Sequence, residues 1–234
     1  MKHYLGVDIG TYETKGVIVN GSGDVVTSAS RAHQMLVPQP GWAEHRADED
    51  WWGDFVFIVK ALLAESKVNP EEIACVATSA IGPCMLPVDT AGRPLMNGVL
   101  YGVDTRAAAE TAELTREIGA ERILATCGNA LTSQSVGPKI LWLKRHRPEV
   151  FADTAKDLTS TTYLTYRWTG ACDVDQYTAA YISPQPSPPG LQKTWQPQRI
   201  TSSPMIWATI STSSGSRASP RKSARPRTPS PLSP

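Results

Sequence analysis

The sequence predicts an α/β domain whose mixed sheet starts as a three-stranded antiparallel meander and is flanked by helices. The meander is predicted by short, apolar, β-prone runs at 4–7 and 16–19 and by the turn motif NGSGD at 20–24, after which VVTSAS supplies a third strand. The sheet becomes mixed because the apolar run at 73–80 follows a helical pattern, which is typical of a buried strand parallel to the first.

The segment after the meander predicts a helix that covers the sheet. Large apolar residues recur at three- and four-residue spacing from Trp51 to Leu63, and the acidic residues at 48–50 favour a helix start there, at the positive end of the helix dipole. Before this helix, the stretch LVPQPGWAEHRADED is a connector. After the strand at 73–80, CMLPVD and GVLY predict two short strands on either side of the turn TAGRP.

Three further helices complete the predicted order of elements. The first begins with Asp104 or Thr105 near its N-cap and ends at Gly119, because glycine tolerates the left-handed conformation of helix ends. The second is PKILWLKRHRPEVF, which has Pro138 in its favoured first turn. The third is short and ends at Gly170.

Charge and proline content divide the chain into two segments. Residues 1–183 hold 16 Lys and Arg and all 22 Asp and Glu, whereas residues 184–234 hold 7 basic residues, no acidic residue and 11 of the 19 prolines. We expect this Pro/Ser/Arg-rich tail to be disordered, because it has too few apolar side chains to offset the entropy of ordering. A change of reading frame near codon 183 would produce such a switch in composition.

The basic tail also suggests a nucleic-acid arm. The cations that motivate this alternative are Arg217, Arg221, Lys222, Arg225 and Arg227. The acidic body of the chain has no recognisable nucleic-acid motif and would repel phosphates. We therefore expect no nucleic-acid partner.

Cysteine usage and hydropathy indicate the compartment. The four cysteines, which form no CxxC pair, are Cys75, Cys84, Cys127 and Cys172. Their scatter argues against a zinc site or a disulfide framework and favours a reducing compartment. The N-terminus has no charged-then-apolar targeting pattern, and no apolar run approaches the length of a bilayer span. We expect a cytoplasmic protein without a membrane partner.

The link between the first two strands carries the candidate catalytic chemistry. We expect a wide loop of about six residues with exposed backbone donors. Gly10 lets a ligand approach the backbone closely. Thr11 and Thr14 add hydroxyls, Lys15 adds a cation and Asp8 adds a carboxylate. Donors of this kind suit phosphate oxygens, and a carboxylate at a strand end suits hydrated Mg²⁺. The loop predicts a nucleotide phosphate site, with an ordinary surface hairpin as the alternative.

Six motifs in order resemble one family. They are GVDIGTYETKGVIV, PGWAEHRADEDWW, DTAGRPL, DTRAAAE, GNALTSQSVGPKILWLKRHRPEVF and TYLTYRWTG. Over residues 1–183 they are similar to the N-terminal domain of the FGGY carbohydrate kinases, xylulokinase-like members in particular. No GxGxxG after a strand and no GxxxxGK[ST] occurs, so nucleotide binding must use a different loop.

The resemblance implies a ribonuclease H-like domain of the actin-like ATPase fold, which is one half of a two-domain enzyme. It implies transfer of the γ-phosphoryl group of ATP, with Mg²⁺, to a sugar or polyol hydroxyl. Asp8 becomes the catalytic, metal-orienting carboxylate, with a turn residue that bonds its own backbone as the alternative. The residues that fall on the phosphate and magnesium loop are Asp8, Gly10, Thr11, Thr14 and Lys15.

The predicted sugar side departs from the family pattern. Where xylulokinases carry a Met-His pair and glycerol kinases an Arg-Glu pair, this sequence has Gly82-Pro83, which offers a sugar hydroxyl only backbone groups. Tyr101 stands, after a one-residue insertion, in place of a family tryptophan, and with Asp104 it is the better candidate for the sugar pocket. Cys84 is a pocket wall, a reactive thiol or a small buried hydrophobe. A pentulose such as xylulose is the favoured substrate, and glycerol or another FGGY substrate is the alternative.

The general base of the family is an aspartate beyond the last matching motif, and no acidic residue follows Asp175 here. We therefore expect residues 1–183 to be an incomplete N-terminal domain, with little transfer activity by itself because it lacks the base and the second domain. A non-catalytic, actin-like nucleotide-binding fragment is the alternative from another class. A homodimer stays open, because these motifs do not identify dimer contacts.

Overall fold

The computed structural model of the chain describes residues 2–175, 178, 199–201 and 206–208. In chain order its elements are β1 (His3–Ile9), β2 (Glu13–Asn20), β3 (Val25–Ala32), β4 (Glu44–His45), a π-helical turn (Ala47–Gly53), α1 (Asp54–Ser66), a 3₁₀ turn (Pro70–Glu72), β5 (Ile73–Ala80), β6 (Leu86–Val88), β7 (Gly98–Val99), α2 (Ala108–Ile118), α3 (Ala120–Cys127), α4 (Val136–His146), α5 (Pro148–Asp153), β8 (Lys156–Leu158), α6 (Ser160–Thr169), β9 (Asp173–Asp175), β10 (Arg199–Thr201) and β11 (Ile206–Ala208).

One mixed sheet of five strands organises the fold, in the order β11-β5-β1-β2-β3. The pairs β1–β2 and β2–β3 are antiparallel, which confirms the predicted meander. Strand β5 runs parallel to β1, also as predicted. Within the described residues, the other strands form three two-stranded sheets, β4–β7, β6–β8 and β9–β10.

Strand β1 shows why the two faces of the sheet differ. Its residues Leu5, Val7 and Ile9 are buried, because alternate side chains of a strand point to the same face and this face is covered by helix α1. Asp8 lies between two of them and is exposed on the opposite face. The sheet therefore has one packed face and one face that is open at the end of β1.

Helix α1 begins later than the sequence predicts. The chain first forms the π-helical turn, and α1 starts at Asp54 rather than at Asp48. Asp50 contributes to this delay, because its carboxylate accepts hydrogen bonds from the backbone N–H of Arg46 at 2.8 Å and from the Arg46 side chain. The helix ends at Lys67, which has a left-handed φ of 56°.

Close packing of α1 on β2 requires a glycine. A Cβ at Gly16 would lie 2.3 Å from Cγ2 of Ile58 and 3.0 Å from Cδ1 of Leu62, and both of these side chains are fully buried. Any larger residue at Gly16 would push the helix away from the sheet. This contact fixes the distance between the helix and the strand that carries Lys15.

A second apolar cluster lies beside helices α2, α3 and α4. Its buried members include Leu114, Ile123, Ile140, Trp142 and Leu143. Helix α2 ends at Gly119 as predicted, but neither Asp104 nor Thr105 is its N-cap. The capping position is Ala107, because the Asp104 carboxylate bonds other partners, which are described below.

The predicted helix PKILWLKRHRPEVF forms two helices. Helix α4 ends at His146, Arg147 has φ −140° and ψ 60°, and α5 starts at Pro148. A residue before proline is disfavoured in the helical region, which explains the break. The sequence pattern missed it because the apolar spacing continues across the junction.

The last confirmed element is α6, which ends at Gly170 with a left-handed φ of 73°. Residues 199–201 and 206–208 of the tail are described, and each forms a short strand, while disorder of the tail as a whole stays a prediction. The remainder of the tail lies outside the described residues. Among the described helices, none combines the length and apolar character needed to cross a bilayer.

Candidate active site

The open face of the sheet carries a row of polar side chains across three strands. Lys15 of β2 and Ser79 of β5 are both register partners of Asp8 on β1, and all three residues are exposed. In the next row, Gly6 pairs with Ala77, and these small residues leave space. The result is an open groove of about 280 Å³ whose lining includes all five residues.

The donor set of this groove suits a metal-bound phosphate. It offers a carboxylate (Asp8), an ammonium (Lys15) and a hydroxyl (Ser79) at one edge. The Lys15 ammonium lies 3.2 Å from the carboxylate of Glu13, and this ion pair holds the ammonium near the start of β2. Within the described residues no group of three or more His, Cys, Asp and Glu side chains could hold a metal. A Mg²⁺ ion at Asp8 would thus take its other ligands from water and phosphate, which is common for this ion.

The predicted wide loop is a short turn. Strand β1 continues to Ile9 and β2 starts at Glu13, so that only Gly10, Thr11 and Tyr12 link them. The N–H of Gly10 donates to the carbonyl of Glu13 at 2.9 Å, which closes the turn. A Cβ at Gly10 would lie only 3.0 Å from that carbonyl oxygen. Asp8 and Lys15 therefore sit on paired strands, where their positions are fixed more firmly than in a loop.

Thr14 does not face the groove. It is fully buried, and its hydroxyl donates to Asp54 at 3.0 Å on the packed face of the sheet. Thr14 neighbours Lys15 in sequence, and successive strand residues point to opposite faces. The prediction that the Thr14 hydroxyl binds phosphate is not supported by this geometry.

A buried polar network lies under the turn. Asp54 accepts from Thr14 and lies 2.8 Å from Nδ1 of His33 and 3.2 Å from Nε of Arg31. The other ring nitrogen of His33, Nε2, lies 3.1 Å from the carbonyl oxygen of Gly10. The His33 side chain is only 4% exposed. Helix α1 and the turn are thus joined through one imidazole.

A second imidazole supports the next residue of the turn. Nε2 of His45 lies 3.0 Å from the carbonyl oxygen of Thr11, and Nδ1 of His45 accepts from the indole N–H of Trp51 at 3.1 Å. Burial, followed by the nearby positive charge of His33, lowers the pKa of His45 to about 4. His45 is therefore neutral at pH 7 with its proton on Nε2, which donates to Thr11.

The structure brings two of the predicted sugar-pocket residues into contact. A Cβ at Gly82 would lie 2.9 Å from Cδ1 of Tyr101, so the tyrosine ring covers the space that a side chain at position 82 would need. The hydroxyl of Ser160 donates to the carbonyl of Ile81 at 2.6 Å and holds this segment in place. The ring of Tyr101 therefore packs directly against the backbone of Gly82.

The neighbours of Gly82 are buried in the core. Pro83 is buried, and Cys84 is fully buried within the main apolar cluster. Burial raises the pKa of the Cys84 thiol to about 11. The thiol is neither reactive nor accessible to a sugar, and Cys84 is the small buried hydrophobe among the three alternatives.

Asp104 is an internal anchor. It is fully buried, and its carboxylate accepts from the N–H of Ala43 at 2.7 Å and from the Arg106 guanidinium at 2.8–3.0 Å. Arg106 in turn bonds Glu44 and lies over the ring of Trp42 at 4.0 Å. These contacts occupy the carboxylate, so in this structure Asp104 fixes the Trp42–Glu44 connector and does not present free oxygens to a sugar.

A small cavity of about 160 Å³ lies beside Asp104 and ends at the Lys139 side chain. Lys139 is almost fully buried and donates to the carbonyls of Leu100 at 2.9 Å and Ser133 at 2.6 Å. Burial lowers the pKa of its ammonium to about 8. Lys139 ties the segment that carries Tyr101 to helix α4.

Comparison with known proteins decides the family. The model of one protein family, described as "FGGY family of carbohydrate kinases, N-terminal domain", matches residues 3–183, well over half of the chain. The chain belongs to the FGGY family of carbohydrate kinases. The resemblance found in its motifs is thereby confirmed.

Individual relatives of this FGGY chain agree. Xylulose kinase from Escherichia coli (strain K12) is 30% identical over 177 residues, which are 76% of this chain and 35% of the relative. Glycerol kinase from Bacillus cereus (strain AH187) is 29% identical over 144 residues, or 61% of this chain and 28% of the relative. The FGGY chain spans about a third of the length of the curated relatives that it matches most fully.

Solved structures confirm the fold class. The crystal structure of xylulose kinase from Rhodospirillum rubrum superposes with a TM-score of 0.72 at 30% identity, and the match covers 77% of this FGGY chain and 36% of that protein. The mixed sheet with its antiparallel meander is therefore the ribonuclease H-like sheet of an actin-like ATPase fold.

Sequence reasoning missed the supports of the FGGY hairpin. His33 and His45 lie 23 and 34 residues from the turn carbonyls they contact, and Asp54 is linked to the turn through His33, so no local pattern connects the three residues with it. Ser79 was missed because it stands at the end of an apolar run, where only the strand register places it beside Asp8. The distance in sequence explains both omissions.

Proposed function

We propose that this chain supplies the phosphate-binding half of an ATP-dependent kinase that phosphorylates a hydroxyl of a sugar or polyol, with a pentulose such as xylulose as the favoured substrate. The observation that carries the proposal is the exposed row of Lys15, Asp8 and Ser79 at the edge of the groove. The match to the FGGY N-terminal domain and the identity with xylulose kinases support it. The four free cysteines favour the cytoplasm as its location.

Each residue of the row has a separate task in this proposal. Asp8 holds the hydration shell of Mg²⁺ and so places the metal at the end of β1. Lys15 offsets the negative charge of phosphate oxygens, and the exposed backbone of Gly10 and Thr11 lets the phosphate approach closely. Bound Mg·ATP supplies the transferable phosphoryl group and neutralises part of its charge.

The sugar side of the proposal rests on Gly82 and Tyr101. The tyrosine ring covers the backbone of Gly82 and offers an aromatic wall with a hydroxyl donor. Pro83, the next residue, is buried. Asp104 and Lys139 fix the segments around this site. Asp104 accepts from the N–H of Ala43, and Lys139 donates to the carbonyl of Leu100.

The general base is proposed to come from the half of the kinase that this chain does not match. The matched residues end at 183, and the chain spans about a third of its relatives. General-base assistance is worth about 10² to 10⁴ in rate, so the chain by itself is expected to transfer phosphate very slowly.

A second candidate is a kinase for glycerol. It is favoured by the 29% identity with a glycerol kinase over 144 residues, a segment close in length to the xylulose kinase match. Neither pair of family residues stands at Gly82-Pro83, so the acceptor has to be identified by assay.

Two measurements on one preparation test the proposal. Calorimetry measures Mg·ATP binding to the full chain, with Asp8→Asn as the test variant and Asp24→Asn, another exposed aspartate, as the matched control. ADP release is then followed with pentuloses, pentitols and glycerol, with and without the remainder of E. coli xylulose kinase, the part that follows the segment matched by this chain, as a separate chain.

The expected result is Mg·ATP binding that Asp8→Asn abolishes and Asp24→Asn preserves. Sugar-dependent ADP release is expected only when the added chain from E. coli xylulose kinase is present. Rapid turnover by the chain alone would show that it contains its own base. Absence of Mg·ATP binding and of turnover in every combination would contradict the proposed function.

A further inference from the structure

Two histidines hold consecutive carbonyl groups of the β1–β2 turn from its buried side. Nε2 of His33 lies 3.1 Å from the Gly10 carbonyl oxygen, and Nε2 of His45 lies 3.0 Å from that of Thr11. Their ring centroids are 4.9 Å apart in an edge-to-face arrangement. Neither histidine belongs to the turn or to the groove, so they act on it through hydrogen bonds alone.

The planar peptide group converts these contacts into an orientation of donors. In a trans peptide the C=O and the N–H point in opposite directions. The carbonyl of Gly10 shares its peptide with the N–H of Thr11, and the carbonyl of Thr11 shares its peptide with the N–H of Tyr12. Both carbonyls point inward to the histidines, so both N–H groups point outward. In the described part of the chain, neither N–H has a protein acceptor.

We propose that His33 and His45 are positioning residues for phosphate binding, which aim the N–H groups of Thr11 and Tyr12 at the anionic oxygens of a nucleotide phosphate. The ligand in this inference rests on the proposed function, whereas the orientation of the two N–H groups does not. Two adjacent outward N–H groups form a small anion-binding surface. It lies three to four residues from Asp8, at the same end of β1.

The anchors of the two rings fix their protons. His45 accepts from Trp51 at Nδ1, so its single proton is on Nε2 and is donated to Thr11. Nε2 of His33 faces the Gly10 carbonyl, which can only accept, so this nitrogen donates to the turn. Nδ1 of His33 faces the Asp54 carboxylate, to which Thr14 and Arg31 are also bonded, and this contact fixes the orientation of the ring.

The experiment uses the full chain labelled with ¹⁵N. Mg·ATP is titrated, and the amide signals of Thr11 and Tyr12 report binding at the two N–H groups. The variants are His45→Leu, which removes the donor to Thr11, and His45→Gln, whose side-chain amide can still donate to it. Leu143→Ala, in the second apolar cluster, controls for a general loss of stability.

The two amide signals are expected to move and saturate with Mg·ATP in the unmodified chain and in Leu143→Ala. His45→Leu should raise the Kd about tenfold, the effect of one lost hydrogen bond, and His45→Gln should restore it to within about threefold. Equal Kd values in all folded variants, or amide signals that stay still while that of Asp8 moves, would overturn the proposal.

Ligand-free spectra separate this inference from the proposed function. Imidazole ¹⁵N signals at pH 7 should show a proton on Nε2 of both His33 and His45, the nitrogens that face the two turn carbonyls. The amides of Thr11 and Tyr12 should exchange with solvent faster than those of Leu5 and Ile18 in the same hairpin. If Mg·ATP fails to bind but these signatures are present, the kinase function fails and the orientation stands. If the signatures are absent, the orientation itself is wrong.

Discussion

The two faces of the sheet at the β1–β2 hairpin both carry polar groups, but these groups have opposite surroundings. On the open face, Asp8, Lys15 and Ser79 are exposed to water. On the packed face, Thr14 and Asp54 are buried and bonded to one another. The polar groups of the open face are accessible to a ligand, whereas those of the packed face are hydrogen-bonded to one another.

This difference assigns separate consequences to changes on each face. A charge in water can be removed at little cost to folding, and its loss is felt only when a ligand arrives. A buried charge that is bonded on several sides is expensive to remove, because its former partners remain buried without it. The predictions below test this division in order of expected size.

The largest effect is expected from Asp54→Ala. The substitution removes the shared partner of Thr14, His33 and Arg31 and leaves the Thr14 hydroxyl and the His33 imidazole buried without it. We expect the free energy of unfolding to fall by about 3–5 kcal/mol. Urea denaturation measures it, and a loss below about 1 kcal/mol would show that the packed-face network is not interlocked.

The next effect is acid destabilisation through His45. Burial and the charge of His33 lower its pKa from 6.5 to about 4, against the opposite influence of Asp50 and Asp54. Between these values the unfolded chain binds a proton that the folded chain does not, so stability falls as the pH falls from 6.5 to 4. The contribution is roughly 3 kcal/mol.

Urea denaturation at several pH values between 7 and 4.5 measures this dependence. The variant His45→Gln is the control, because glutamine does not titrate in this range. Its stability should fall less steeply with acid than that of the unmodified chain. Identical slopes would indicate that other groups cause the acid sensitivity.

A smaller effect is expected from Thr14→Val. The two side chains have similar shapes, so the change removes one hydrogen bond to Asp54 and little packing. We expect a loss of about 1–2 kcal/mol in urea denaturation and no change in the Kd for Mg·ATP, measured under conditions where the variant is folded. A large loss of Mg·ATP affinity would instead indicate that the Thr14 hydroxyl binds phosphate.

The smallest effect on folding, within about 0.5 kcal/mol, is expected from Asp8→Asn, because Asp8 is exposed. The same variant should lose Mg·ATP binding in calorimetry. The variants Asp8→Asn and Thr14→Val are therefore expected to have complementary effects, because the first affects ligand binding alone and the second affects stability alone. Any variant that shifts both quantities would weaken the division between the faces.

The fold was largely predictable because its signals are local. The short apolar, β-prone runs at 4–7 and 16–19, the turn at 20–24 and the apolar run at 73–80 each depend on a few neighbouring residues. The junction at Arg147 was missed, because the apolar spacing favoured one helix while the following proline forbade it.

The site was predictable only on its exposed side. Asp8 and Lys15 could be found from their place beside a turn, but the inward direction of Thr14 depends on where β2 begins, and a register error of one residue reverses the face. Asp104 and Cys84 were assigned to the sugar pocket from their order in the chain. Their burial depends on distant partners such as Ala43, which the sequence cannot place.

Gly16 has a mechanical consequence. With no room for a Cβ between it and Ile58, the first half of β2 and helix α1 are in backbone-to-side-chain contact, and Asp54 at the start of the same helix reaches the turn through His33. Parts that are joined at two points have no hinge between them. Helix α1 and the β1–β2 turn are therefore expected to move as one rigid body, and a force applied to the outer surface of α1 would reach Gly10 through Asp54 and His33 without bending the strand between them.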